Sequence, residues 1–198
     1  MTTTLMRASE IAKRPVVTYG GEDVAQVKDI IYADGGGQVG GFTLNGRGLL
    51  SGPLKVSLGW SQVASLGPDA VMIVDETVLD RKDQVLEETG VLEDHRGGDI
   101  LGSRVLTDDG TDLGKVIDVI IEVTGTQGLR ALVVGFEIEP SAALGKDLKK
   151  VLIPLPDTLA ASGEHLMVPA AAKDFVTDDL AGFGAAIEDF RKRLSGTP

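Results

Sequence analysis

The stretch Val105 to Val123, VLTDDGTDLGKVIDVIIEV, repeats an earlier one, Val16 to Asp34, VVTYGGEDVAQVKDIIYAD, at a spacing of 89 residues and without a gap. Val16/Val105, Thr18/Thr107, Gly21/Gly110, Asp23/Asp112, Val27/Val116, Asp29/Asp118 and Ile31/Ile120 are identical, and the register extends to Gly46/Gly135. A fixed-offset echo of this length marks a duplicated unit. Any fold proposed for one half must therefore suit the other. Further on, Val56-Ser57-Leu58 echoes Val151-Leu152-Ile153 and Met72 echoes Met167, now at a spacing of 95. The second copy thus carries six extra residues, within EIEPSAALGKDLKK, between its third and fourth strands.

Inside each copy the pattern is that of short strands. Val16–Thr18 opens a β-branched strand, Gly20–Asp23 turns, Val24–Ala33 is a second strand, Gly35–Gly37 turns again and Val39–Leu44 is a third. Glycine takes positive φ in such turns without steric cost. This spacing predicts an antiparallel meander of the kind found in small barrels. The expected fold is therefore all-β: two small tandem antiparallel barrels at residues 1–75 and 99–170. A charged linker, 76–98, would hold a short helix from Asp80 to Thr89 with Gly90 past its end. Residues 171–198 form a separate tail.

The tail changes period. Leu180, Phe183, Ile187, Phe190 and Leu194 step by three and four, placing all five on one helical stripe. Thr177 is a cap candidate, Asp178 and Asp179 fall in the first turn, and Arg191, Lys192 and Arg193 in the last, all favourable to the helix dipole. Gly182 and Gly184 weaken the helix by roughly 1 kcal/mol each. The stripe therefore needs a surface, either on its own barrels or on another chain.

The 42% apolar content supports real cores, and 26 glycines fit many tight turns. With no cysteine, disulfide and thiolate chemistry are excluded. The opening MTTTLMRASE has no apolar core of a signal peptide, and no run of ~18 apolar residues can span a membrane. A cytoplasmic location is expected. A net charge of −11 repels phosphate backbones and anionic lipid, which argues against direct nucleic-acid binding and leaves a neutral-to-basic protein or an RNA-coating protein open as partner.

The order of these elements, read from PVVTYGGEDVAQVKDIIYAD and VSLGWSQVASLGPDAVMIV and again from RVLTDDGTDLGKVIDVIIEV and VLIPLPDTLAASGEHLMVP, resembles the PRC-barrel family. That family is named for the H subunit of the photosynthetic reaction centre, and its barrel also forms the C-terminal half of the ribosome maturation factor RimM. The resemblance covers most of residues 5–170. It implies a bent antiparallel barrel that serves as a docking or assembly module and is not an enzyme. It also raises the alternative of a peripheral subunit of a membrane-bound complex; a ligand-responsive sensor is a third reading, independent of the resemblance.

Candidate chemistry is sparse. Asp29 and Asp118 share strand parity with Val27 and Ile31, or Val116 and Ile120, so both carboxylates are expected to lean inward as structural groups accepting backbone N–H bonds. The segment TDDGTD, Thr107 to Asp112, lacks the ligand spacing of a calcium loop and reads as a turn. His95 and His165 have no nucleophile or cysteine beside them in motif context. No catalytic residue, cofactor or metal is expected. Trp60 is expected to plug the first barrel. The candidate contact residues are Leu49 and Leu50, in a glycine-rich loop, together with Leu180, Phe183, Ile187, Phe190 and Leu194. A homodimer through the tail stays open.

Overall fold

The computed structural model describes residues 3–33, 37–48, 51–81, 84–85, 100–125, 129–145, 148–156, 160–161 and 165–196. The chain divides into two compact units. The first comprises residues 1–97 with 122–132, and the second 98–121 with 133–198.

The first unit opens with β1 (Thr3–Arg7) and a one-turn helix α1 (Ala8–Ile11). Strands β2 (Pro15–Thr18), β3 (Asp23–Tyr32), β4 (Val39–Asn45), β5 (Pro53–Gly59), β6 (Ser65–Leu66), β7 (Val71–Ile73) and β8 (Asp80–Arg81) follow. They pair in the order β6-β7-β2-β3-β4-β5-β8. The second copy contributes β9 (Arg104–Thr107), β10 (Asp112–Thr124), β11 (Arg130–Pro140), β12 (Val151–Pro154), β13 (Ala160–Ala161) and β14 (His165–Val168), then α2 (Leu180–Leu194). Their order is β13-β14-β9-β10-β11-β12, the same sequence of equivalents. The edge partner matches too: β8 pairs with Val56 and Ser57 on β5, and Thr177 bridges Leu152 on β12.

Two expectations are corrected. Each strand path ends on two different edge strands, so the sheets are open and not closed barrels. Nor are they wholly antiparallel. The closing strand returns beside the first in parallel, Val16 opposite Val71 and Thr18 opposite Ile73, and likewise Val105 opposite Leu166 and Thr107 opposite Val168. A three-residue strand after a tight turn cannot be assigned a direction by alternation alone, which is why the meander reading missed this.

The β2–β3 turn shows why both copies keep the same residues. Thr18 N–H donates to Glu22 O and Thr107 N–H to Thr111 O, at 2.8 and 2.9 Å. Gly21 and Gly110, at φ 85° and 82°, complete the turn in the left-handed region that favours glycine. Thr18 and Thr107 are buried, and each hydroxyl accepts the N–H four residues on.

Each unit has an apolar core. Val16, Ala25, Val27, Phe42, Leu44, Leu58, Val71 and Ile73 fill the first, with Trp60 edge-on to Phe42 at 5.9 Å between ring centroids. The Trp60 indole N–H donates to Leu129 O at 2.8 Å, so its polar end is satisfied within the same unit. Val105, Leu113, Val116, Ile120, Phe136, Ile138 and Ile153 fill the second.

The second core also takes Phe183, Ile187 and Phe190 from α2, all at 1% exposure or less. The helix packs on β12 and on the 3-10 segment Ala170–Phe175, with Phe175 and Phe190 rings 5.4 Å apart. Asp179 caps the helix, its side chain accepting Gly182 N–H at 2.6 Å. Of the Asp80–Thr89 helix expected in the linker, Asp80 and Arg81 form strand β8 instead, and most of the remainder lies outside the described residues. Gln84 and Val85 are helical and Val85 is buried.

Candidate contact surface

The contact residues expected from sequence fare unequally. Leu49 and Leu50 lie outside the described residues. Phe183, Ile187 and Phe190 are corrected from contact surface to core, because the stripe meets β12 of its own unit. Leu180 is half-buried, and Leu194 at the end of the stripe is 43% exposed.

Asp29 and Asp118 part company. Asp118 is buried, and its Oδ1 accepts the N–H of Val119 at 2.8 Å. Asp29 is exposed, which corrects its expected inward lean. Val27 faces Leu44 and Asp29 faces Thr43, so Lys28 is an extra residue in β3 and the alternation slips by one. Asp29 instead accepts from Thr43 Oγ1 at 3.3 Å and pairs with Lys28 at 3.1 Å.

The acidic turn of the second copy is spent on its own chain. Asp109 accepts from the hydroxyls of Thr107 and Thr111, from Thr111 N–H at 3.3 Å and from Lys173 at 3.4 Å. The Thr107 and Thr111 hydroxyls, the first above all, hold its carboxyl far below the usual carboxylate range. Asp108 accepts Ala170 N–H at 2.8 Å, sealing this corner with the 3-10 segment.

The equivalent corner of the first copy is apolar and open. Tyr19 stands where the second copy has Asp108, and Val74 where it has Pro169. They are 64% and 54% exposed. Tyr19 N–H donates to Ile73 O at 3.0 Å, which ties the turn to the end of β7 beside Val74. Sequence reading missed this pair because a turn tyrosine is unremarkable alone; comparing the copies position by position is the signal that finds it.

Arg14 is buried close by the entry to β2. One Nη donates to Gly67 O at 2.6 Å and lies 3.4 Å from Met6 Sδ. Burial lowers its pKa, yet a guanidinium keeps its proton. It ties β1 and the 67 turn together and is structural.

Two β copies with one strand order define a class of tandem small β-domain. The PRC-barrel domain family's sequence model matches residues 3–79 and again 93–175, and the chain belongs to that family. No curated protein matches the chain significantly. Among the described residues, no helix is long and apolar enough to cross a membrane, and no three acidic or histidine side chains gather as a metal site.

Proposed function

We propose that this PRC-barrel protein is a non-enzymatic docking module of the cytoplasm, and that it meets a protein partner through the Tyr19–Val74 corner of its first copy. One observation carries this reading: the corner that the second copy closes with Asp108, Asp109 and its 3-10 segment is left in the first copy as an exposed aromatic and an exposed valine. A tyrosine on fixed backbone loses little entropy on binding and offers a large apolar face with a polar tip. The net charge of −11 favours a neutral-to-basic partner.

The test is capture by the wild-type chain against a Tyr19→Ala/Val74→Ser variant, with light scattering on each alone. The variant is expected to lose a discrete partner while keeping its melting temperature. If both bind the same protein equally, the corner is not the contact. A mass of two chains that falls to one in the variant makes the partner a second copy.

A further inference from the structure

We propose that the first unit also holds a small-molecule site, one fitted to a zwitterion carrying an ammonium and a carboxylate, in the cavity between β2, the start of β3 and the 46–48 turn. The cavity measures about 400 Å³ and is lined by Pro15, Asp23, Ala25, Gln26, Arg47 and Gly48. Pockets for small ligands run from ~300 to ~1,000 Å³ and combine an apolar floor with a few convergent polar groups. Here Pro15 and Ala25 are the apolar part, and one acid, one amide and one base are the polar part.

The acid and base face each other. Arg47 Nε lies 3.5 Å from Asp23 Oδ2, with side chains 61% and 40% exposed. So exposed a pair contributes little to stability, and it opens at little cost to a ligand of complementary polarity. An ammonium then sits on Asp23 and a carboxylate on the guanidinium fork. Gln26 is already fixed, its Nε2 donating to Lys13 O at 2.8 Å, so that wall is ordered before any ligand arrives.

The second copy supplies the contrast. Asp23 Oδ1 is enclosed and has no hydrogen-bond partner. Its equivalent, Asp112 Oδ1, accepts Gly114 N–H at 2.9 Å. Where the strand registers place Arg47, the second copy has Ser141, whose N–H donates to Leu113 O at 2.9 Å and whose hydroxyl donates to Asp112 O at 2.5 Å. The same part of the repeat holds a serine bonded to its neighbouring backbone in one copy and a charged pair in the other. A carboxylate with unused acceptor capacity at a cavity wall is a costly arrangement to keep without a donor to serve. Neither Tyr19 nor Val74 lines this cavity, so the site stands apart from the docking face.

The test titrates the full ¹⁵N-labelled chain with glycine, L-alanine and L-glutamine, each beside acetate and methylammonium at equal concentration. At least one amino acid is expected to shift the amide signals of Ala25, Gln26 and Gly48 saturably. Acetate and methylammonium, each carrying half the recognition, are expected to bind at least about tenfold more weakly. Arg47→Gln and Asp23→Asn, both at exposed side chains, are expected to weaken binding by about tenfold with unchanged melting. No saturable shift with any of the three amino acids overturns the proposal. So does acetate binding as tightly as they do, or undiminished binding in both variants.

Discussion

Gly46 and Gly135 align in the repeated sequence but not in the sheets: Gly135 sits opposite Pro154 as Gly41 sits opposite Gly59, and Gly46 lies five residues further along, at the end of β4. Gly46 leads out of β4 into a turn, its N–H donating to Gly52 O at 3.1 Å. A Cβ added there would meet Ser51 Cβ at 3.1 Å, a small exposed side chain. Gly135 lies inside β11 opposite Pro154. A Cβ added there would run into the ring of Phe183 and come within 2.6 Å of Ile153 O. The glycine of the second copy is a notch that lets α2 settle on the sheet. The sheet order survived duplication, while the third and fourth strands of the second copy are roofed by a helix.

The largest expected effects fall on the roof. Phe183→Ala removes a fully buried ring and is expected to cost about 3–5 kcal/mol. Amide exchange should locate the loss in β12 and α2, leaving β2–β4 protected. Gly135→Ala is expected to cost about 1–3 kcal/mol through overpacking, and Gly46→Ala less than about 1. Equal costs at the two glycines, measured by denaturant titration, would break the comparison, since they would mean that the notch is not what Phe183 needs.

A smaller contrast sits at the entry to each first strand. Lys13 and Gly102 are repeat equivalents, both at positive φ, 74° and 88°, and each N–H donates at 2.8 Å, to Val27 O and Val116 O. The left-handed conformation suits glycine and strains lysine. Lys13→Gly is expected to stabilise by a net ~0.5–1 kcal/mol, the ~1–2 of relieved strain less the ~0.5–1 that a flexible glycine loses on folding. Gly102→Ala is expected to destabilise by about 1 kcal/mol. Melting curves of the two single variants, moving in opposite directions, would confirm that the backbone is shared and the residue choice is not.

Much of this was legible in the chain. The echo from Val16 to Asp34 gave the repeat and its strands, and the stripe Leu180–Leu194 gave the helix, with the cap at Asp179 in place of the expected Thr177. What failed had local causes. Two-residue periodicity places Asp29 and Asp118 on the same face, but it cannot see that Lys28 bulges out of β3 and turns Asp29 to solvent. The helix stripe does not name its target, because apolar faces on a barrel or on a partner look alike to a helix. Open against closed sheets, and parallel against antiparallel closure, are set by long-range pairings such as Val16–Val71, which no local pattern carries. The Tyr19–Val74 corner and the Asp23–Arg47 cavity emerge only when the copies are set side by side.

The smallest expected effect is the one that tests the polar corner directly. Asp109 knots the turn of the second copy, while its equivalent in the first is Gly20, with Thr18 and Glu22 where the knot has Thr107 and Thr111. The carboxyl's pKa is depressed by those hydroxyls, so the folded state binds the proton less readily than the unfolded chain. Its contribution is therefore fully present above the ordinary aspartate value of about 4 and fades as pH falls below it. The melting temperature of Asp109→Ala should lie below wild type by a constant small amount from pH 5 to 7, and the gap should close in acid. A gap that is unchanged at low pH would assign the loss to packing. The reverse substitution sharpens the same point: a Cβ at Gly20 lies 3.4 Å from Thr18 Oγ1, ordinary contact, so Gly20→Asp has room to rebuild the knot beside Tyr19. Gain of an acid-sensitive increment in that variant would show that the first copy's corner is open because one side chain is missing, on a turn otherwise ready to hold it.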